Sequence, residues 1–209
     1  MIEKIKQHKI PIIIILLLIL IIIITIRVTN NRTLLIDTIA YKALVEKLRN
    51  PTLTPIMKSI TKLSNTQIIV TIAIILTICI KNKKIALTIP INLMIIAIIN
   101  QTLKLIFQRP RPLGYRLLEI GGYSFPSGHA MASTAFYGLL IYLSYKLIKN
   151  KEIKTLSIIL NLLIIILVGI SRIYLGVHYC SDVLVGESIS IIYLIFYTKI
   201  LKKYKIITQ

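Results

Sequence analysis

The apolar positions of this 209-residue chain are not spread at the helical period but massed in blocks. Each block is close to the length that a bilayer core demands, roughly 20 residues per helix. Six membrane spans are predicted, at about 10–26, 66–80, 85–103, 130–148, 153–170 and 183–201. The first contains the unbroken run IIIILLLILIIII. Lysines precede it, as in a signal peptide, but no small-x-small cleavage site follows, so it is read as an uncleaved anchor. Between the first two blocks, over about 34–49, apolar residues return at three- and four-residue spacing. That pattern predicts an amphipathic helix lying in the interface, a packing and anchoring element broken near Asn50-Pro51. The fold class expected is all-α: one membrane-embedded domain over 1–209, a bundle of six transmembrane helices.

Composition supports a polytopic membrane protein, with 56% hydrophobic residues, only 16% charged and a mean hydropathy of +0.83. The net charge of +19 would suggest nucleic acid in a soluble protein, but the placement of the lysines argues against it. They cluster at Lys4, Lys6 and Lys9, in KNKK at 81–84, in KLIKNKEIK at 146–154 and in KILKKYK at 199–205. Six spans put all four segments on one side, which the positive-inside rule makes cytoplasmic. Both termini are then cytoplasmic and three loops face outward. The fourteen basic residues of the inner segments are all lysines, whereas all seven arginines fall in the outer segments or at their edges. The long first outer loop carries seven basic residues, so the short loops supply most of the asymmetry. Cys79 and Cys180 fall at opposite ends of their spans, beyond disulfide reach.

Chemistry is expected in the second and third outer segments. The second places Lys104, Arg109, Arg111 and Arg116 within thirteen residues and then opens the fourth span with SFPSGHA. A helix start offers free N–H groups and a positive dipole end to an anion. Ser127 or Ser124 can cap it, Gly128 allows close approach to the backbone, and His129 sits in the first turn. The third segment is SRIYLGVHYCSD, with Arg172, His178 and Asp182. If a helix begins near Val177, His178 and Asp182 share one face. A carboxylate beside an imidazole fixes its tautomer and aims the other ring nitrogen as a nucleophile or base. Several cations, two histidines and one acid suit a phosphoryl group better than a divalent metal, which would need more carboxylates or histidines. Each feature alone has a bland reading, such as an arginine snorkelling to headgroups or a structural histidine. Their convergence on one face is what singles them out.

These residues resemble the type-2 phosphatidic acid phosphatase family of membrane lipid phosphatases. K-x-x-x-x-x-x-R-P is matched by Lys104 through Arg111-Pro112, P-S-G-H by Pro126 to His129, and S-R-x-x-x-x-x-H-x-x-x-D by Ser171-Arg172, His178 and Asp182. The resemblance covers roughly residues 34 to 195. It implies that His178 attacks phosphorus, that Asp182 orients it, and that His129 protonates the leaving oxygen. Lys104, Arg111, Ser127, the Gly128 amide and Arg172 are implied to hold the phosphoryl oxygens, with no metal and no other cofactor.

The expected partner is a lipid phosphate drawn from the membrane, not nucleic acid. Undecaprenyl diphosphate or phosphatidylglycerol phosphate is favoured over phosphatidic acid and diacylglycerol pyrophosphate. The expected location is the plasma membrane, with the site facing away from the cytoplasm. Three rivals share parts of the pattern: a phosphotransferase with the same phosphohistidine, a haloperoxidase, which in related folds is soluble, and a non-catalytic transporter or scaffold. Cys180 is read as a small apolar filler. Glu187 is expected to pair with a cation or face a wet cavity, and Asn92, Asn100, Gln101 and Asn161 to bond between helices.

Overall fold

Three of the helices start where a side chain accepts free amides of the first turn. Asn82 accepts from Lys84 and Ile85, Asn150 accepts from Ile153 at 3.0 Å, and Ser127 accepts from Ala130 at 3.5 Å. The computed structural model describes residues 2–30 and 34–207, with side chains from residue 9 onward in the first helix. The side chains of Lys4 and Lys6, and of His8, lie outside the described residues.

The elements are α1 (Ile2–Thr29), α2 (Leu35–Tyr41, prolonged by a π-helical stretch Lys42–Lys47), α3 (Leu53–Lys62), α4 (Thr66–Cys79), α5 (Lys83–Phe107), α6 (Gly128–Leu147), α7 (Lys151–Tyr174) and α8 (Cys180–Lys203). The described residues contain no strand. Helix α6 is the axis, packed against α5, α7 and α8, while α1 leans on α8 and α3 on α7. Its side chains Ala130, Met131, Ala135, Phe136 and Leu139 are fully buried.

The outer helices carry the reverse arrangement. Ile12, Ile15 and Leu16 of α1 and Ile159, Leu162 and Ile166 of α7 are exposed. Exposed apolar surface on this scale needs lipid rather than water around it, so this is a membrane protein. Four helical segments are long and apolar enough to cross a bilayer: Lys9–Thr29, Lys83–Phe107, Lys151–Tyr174 and Cys180–Lys203. A fifth span results if α3 and α4, bent by 48°, are counted together. Helix α6 does not pass the same test, because its burial lets it carry Ser133, Thr134, Tyr137 and Gly138 in place of lipid-facing isoleucine.

Chain direction sorts the two ends of the bundle. Helix α5 ends, α6 begins, α7 ends and α8 begins at one end. The turns at 80–83 and 148–151, and the C-terminal end of α8, lie at the other, where the lysine clusters sit.

Candidate active site

Lys104 occupies the last turn of α5, which stops at Gln108 in the left-handed region (φ 44°). The chain then runs through Arg109-Pro110-Arg111-Pro112. The family spacing selects Arg111 for the site, and the structure gives Arg111 and Arg109 different partners. Arg111 donates from Nε to the carbonyls of Gly121 and Gly122, and from Nη1 to that of Val177 at 2.9 Å. The same Nη1 stands 3.0 Å from His178 Nε2. Arg109 instead donates to Asp182 Oδ1 at 2.6 Å and to the Ser181 hydroxyl at 2.8 Å.

His178 and Asp182 come together, though not on one helix as expected. Helix α8 starts at Cys180, three residues beyond Val177. Gly176 turns the chain at φ 72°, where a Cβ would lie 2.6 Å from the Tyr115 carbonyl oxygen. Leu117 donates to the Leu175 carbonyl at 2.9 Å and ties the two loops together. His178 therefore precedes the helix while Asp182 sits in its first turn. Asp182 Oδ2 accepts from the Tyr179 amide at 2.9 Å and from the Ser124 hydroxyl, and faces His178 Nδ1 at 3.4 Å. Ser124, expected as an alternative helix cap, is thus a partner of the acid.

A guanidinium can only donate, so His178 Nε2 meets Arg111 with its lone pair and the ring proton sits on Nδ1, towards Asp182. Burial pushes the His178 imidazole down to about 4, against the pull of the Asp182 hydrogen bond and charge. Burial thus favours the neutral ring, whose Nε2 electron pair faces the Arg111 guanidinium.

Around that nitrogen the cations are short of partners. Arg172 is 1% exposed. Its Nη1 donates to Thr61 Oγ1 at 2.7 Å, while Nε and Nη2 have no partner. Lys104 Nζ donates to the Tyr123 carbonyl. Neither Lys104, Arg111 nor Arg172 has a carboxylate in salt-bridge range among the described residues. Lys104 and Arg111 are half-buried and Arg172 fully so, and a buried cation without a carboxylate is costly unless an anion joins it.

Ser127 is the cap of α6, its own amide bonded to the Asp182 carbonyl at 3.0 Å. At Gly128 a Cβ would lie 2.9 Å from Asn100 Oδ1 and 3.8 Å from Lys104 Cε, so only glycine leaves that approach open. His129 Nε2 meets Asn65 Oδ1 at 3.0 Å, and its carbonyl accepts from Ser64 at 2.8 Å. His129 and Gly128 also close one end of a cavity of about 690 Å³ between α4, α5 and α6. That cavity runs to Ile78 and Pro90, and its rim residues Val70, Ile74 and Met94 are exposed on the outside of the bundle. A second cavity, about 410 Å³, flanks His178 on the α2 side beside Tyr41, Tyr115 and Tyr179.

Sequence reasoning missed Thr61, Asn65 and above all Asp37, a buried acid bonded to Arg109 and Ser181. The available signal for Asp37 was that it is the only acid between Glu3 and Glu46. Asn92 and Asn100 do bond across helices, to Ala135 and Met131, but Asn161 bonds to Ser157 of its own helix, one turn back. No cation pairs with Glu187 among the described residues. Cys79 and Cys180 are free thiols. Among the described residues no three His, Cys, Asp or Glu side chains gather where they could hold a metal ion.

The model of the family described as the PAP2 superfamily matches residues 85–206. Phosphatidylglycerophosphatase B of Bacillus subtilis (strain 168) is 39% identical over 97 residues, which is 46% of this chain and 47% of that protein. The aligned stretch thus spans about half the length of this curated relative. Among solved structures, one described as the first transmembrane PAP2 type phosphatidylglycerolphosphate phosphatase from Bacillus subtilis superposes with a TM-score of 0.80. It is 28% identical, over 91% of this chain and 96% of that one. Aquifex aeolicus LpxE superposes with a TM-score of 0.61 at 26% identity, over 76% of this chain and 92% of its own. The matched segment spans more than half of the sequence and includes Lys104, Arg111, His129, Arg172, His178 and Asp182, and the chain belongs to the PAP2 superfamily.

Proposed function

We propose that this protein is an integral membrane phosphatase that hydrolyses a lipid phosphomonoester or diphosphate through a phosphohistidine, without a metal. The observation that carries this reading is the junction at His178, with an acid at Nδ1 and a cation at Nε2. Such a ring is a nucleophile ready for a tetrahedral anion. Lys104, Arg111, Arg172 and the free amides that open α6 would hold the phosphoryl oxygens. His178 Nε2 would bond to phosphorus as the bond to the lipid oxygen breaks, and His129 would give that oxygen its proton. Water then attacks the phosphohistidine, losing a proton to His129 as the N–P bond breaks. Asp182 supports the positive charge that the ring carries in between.

The cavity between α4, α5 and α6 favours a lipid substrate. His129 stands at its polar end, and exposed apolar residues line its flank. A tail seated there would leave the headgroup beside the cations without quitting the bilayer. The names of the curated and structural relatives favour phosphatidylglycerol phosphate, with undecaprenyl diphosphate and phosphatidic acid next in line. We take the whole of 1–209 as one domain, with six spans that include α6. The lysine-rich end is cytoplasmic and the site faces outward in the plasma membrane, as the positive-inside rule requires.

The test is phosphate release by purified protein in detergent with EDTA, offered these three lipids beside His178→Ala. Release that persists in EDTA and falls on the order of 10⁴-fold in the variant is expected. Activity retained in the variant would remove His178 as the nucleophile, and release that stops in EDTA would restore a metal to the mechanism.

A further inference from the structure

We propose that Asp37, on the amphipathic helix α2, is a positioning residue: by neutralising Arg109 it keeps the charge of Asp182 available to His178. This rests on the phosphohistidine reading above.

Three buried groups form one chain of contacts. Arg109 Nη2 lies 3.1 Å from Asp37 Oδ2, and its Nη1 lies 2.6 Å from Asp182 Oδ1. Ser181 joins them, giving its amide to Asp37 Oδ1 at 2.7 Å and its hydroxyl to Asp37 Oδ2 at 2.8 Å. Asp37 and Asp182 are under 10% exposed and Arg109 only 12%, so water screens none of these charges well.

Charge counting gives the consequence. With Asp182 and Arg109 alone, the guanidinium would cancel the carboxylate on the side away from His178. The ring would then become cationic on attack with no net negative charge behind it, while Arg111 and Arg172 repel it from the front. Asp37 makes the trio carry one negative charge in total. Asp182 can then act on Nδ1 while Arg109 serves as a fixed clamp on its far oxygen. The groups that face His178 are Asp182 from α8, Arg172 from α7, His129 from α6, and Arg111 and Ser124 from the α5–α6 loop. Arg109 and Asp37 lie behind Asp182. The same contacts fix α2 to the first turn of α8, the turn that bears Asp182.

A clamp and a charge balance predict different outcomes for two neutral substitutions. Asp37→Asn leaves Arg109 to cancel the charge of Asp182 and should lower kcat on the order of tenfold, with KM within twofold of wild type. Arg109→Gln leaves two acids together and should also slow turnover. The double variant D37N/R109Q restores a net charge of minus one and should turn over faster than either single variant. A purely structural clamp predicts a double variant no better than its worse parent, and that result would overturn the proposal, as would kcat within twofold of wild type in D37N. Where one single variant fails to fold, the other carries the comparison with the double.

Inactivity of the wild type towards every lipid would count against the phosphatase reading itself. The charge balance can still be read without turnover, by following the His178 ring against pH by NMR. D37N should shift its titration to lower pH and D37N/R109Q should return it towards wild type. Three coincident curves would sink the idea.

Discussion

Helices α1 and α6 are inversions of one another. Helix α1 is almost pure isoleucine and leucine through its middle and leaves most of that surface outside the bundle. Helix α6 holds serine, threonine, glycine and histidine, and is the best-buried helix of the molecule. In a water-soluble protein the oily helix would be central and the mixed one peripheral. Here lipid is the solvent, so apolar composition marks the outside, while small and polar side chains let helices approach and bond. The candidate active site lies where this inner polarity reaches the end of the bundle, at Ser127, Gly128 and His129.

The sharpest way to test that contrast is to make the inside oily. Arg172 is a buried cation with two unpartnered nitrogens, Nε and Nη2, and on the proposed reading it is held for a ligand rather than for the fold. Arg172→Met should lower kcat/KM about 10³-fold, since charged oxyanion donors contribute at that level. It should leave the apparent Tm unchanged or raised, because an apolar side chain of similar size removes a desolvation cost. A Tm that collapses together with activity would show that Arg172 holds the fold.

Acid is the next probe, because His178 of the inner site is an imidazole whose protonation burial resists. Unfolded, His178 takes up a proton near pH 6.5; folded, only near 4. Between those values the unfolded chain holds more protons, so this group's contribution to stability is complete above about pH 6.5 and declines as pH falls towards 4. Thermal unfolding from pH 7.5 to 4.5 should therefore fall more steeply in wild type than in His178→Gln. Parallel slopes would mean that the ring is not held neutral.

The smallest effects separate the two helices directly. Ala135 of α6 is wholly buried, and Ala135→Leu should cost about 2 kcal/mol by overpacking. Ile19 of α1 is 48% exposed, and Ile19→Ala should stay within about 0.5 kcal/mol. Equal losses in paired thermal melts would break the comparison.

What could be read from the sequence follows the same division. The all-helical class and the lipid-facing blocks were legible because a bilayer imposes length and composition on whatever crosses it. The motifs are legible because their partners are near in sequence: Ser127, Gly128 and His129 are consecutive, and His178 and Asp182 are four positions apart. The start of α8 was missed because a loop packed against Tyr115, not the local pattern, sets it. Contacts such as Arg109 with Asp37 or Arg172 with Thr61 join residues 72 and 111 positions apart, and only the packing of helices brings them together. The α6 span was read as apolar in its own right, although its chemistry depends on neighbours that hide it from lipid.

On the proposed reading, in which the substrate is a lipid seated in the apolar cavity on the flank of α4 and α5, that cavity changes what substrate concentration means for this protein. A lipid that approaches sideways is counted per unit of membrane area, not per litre. At fixed bulk amounts of enzyme and lipid, adding inert detergent or phospholipid dilutes the surface that the cavity samples. The rate then follows the mole fraction of the phosphorylated lipid, so the composition of the surrounding membrane itself sets the pace of turnover.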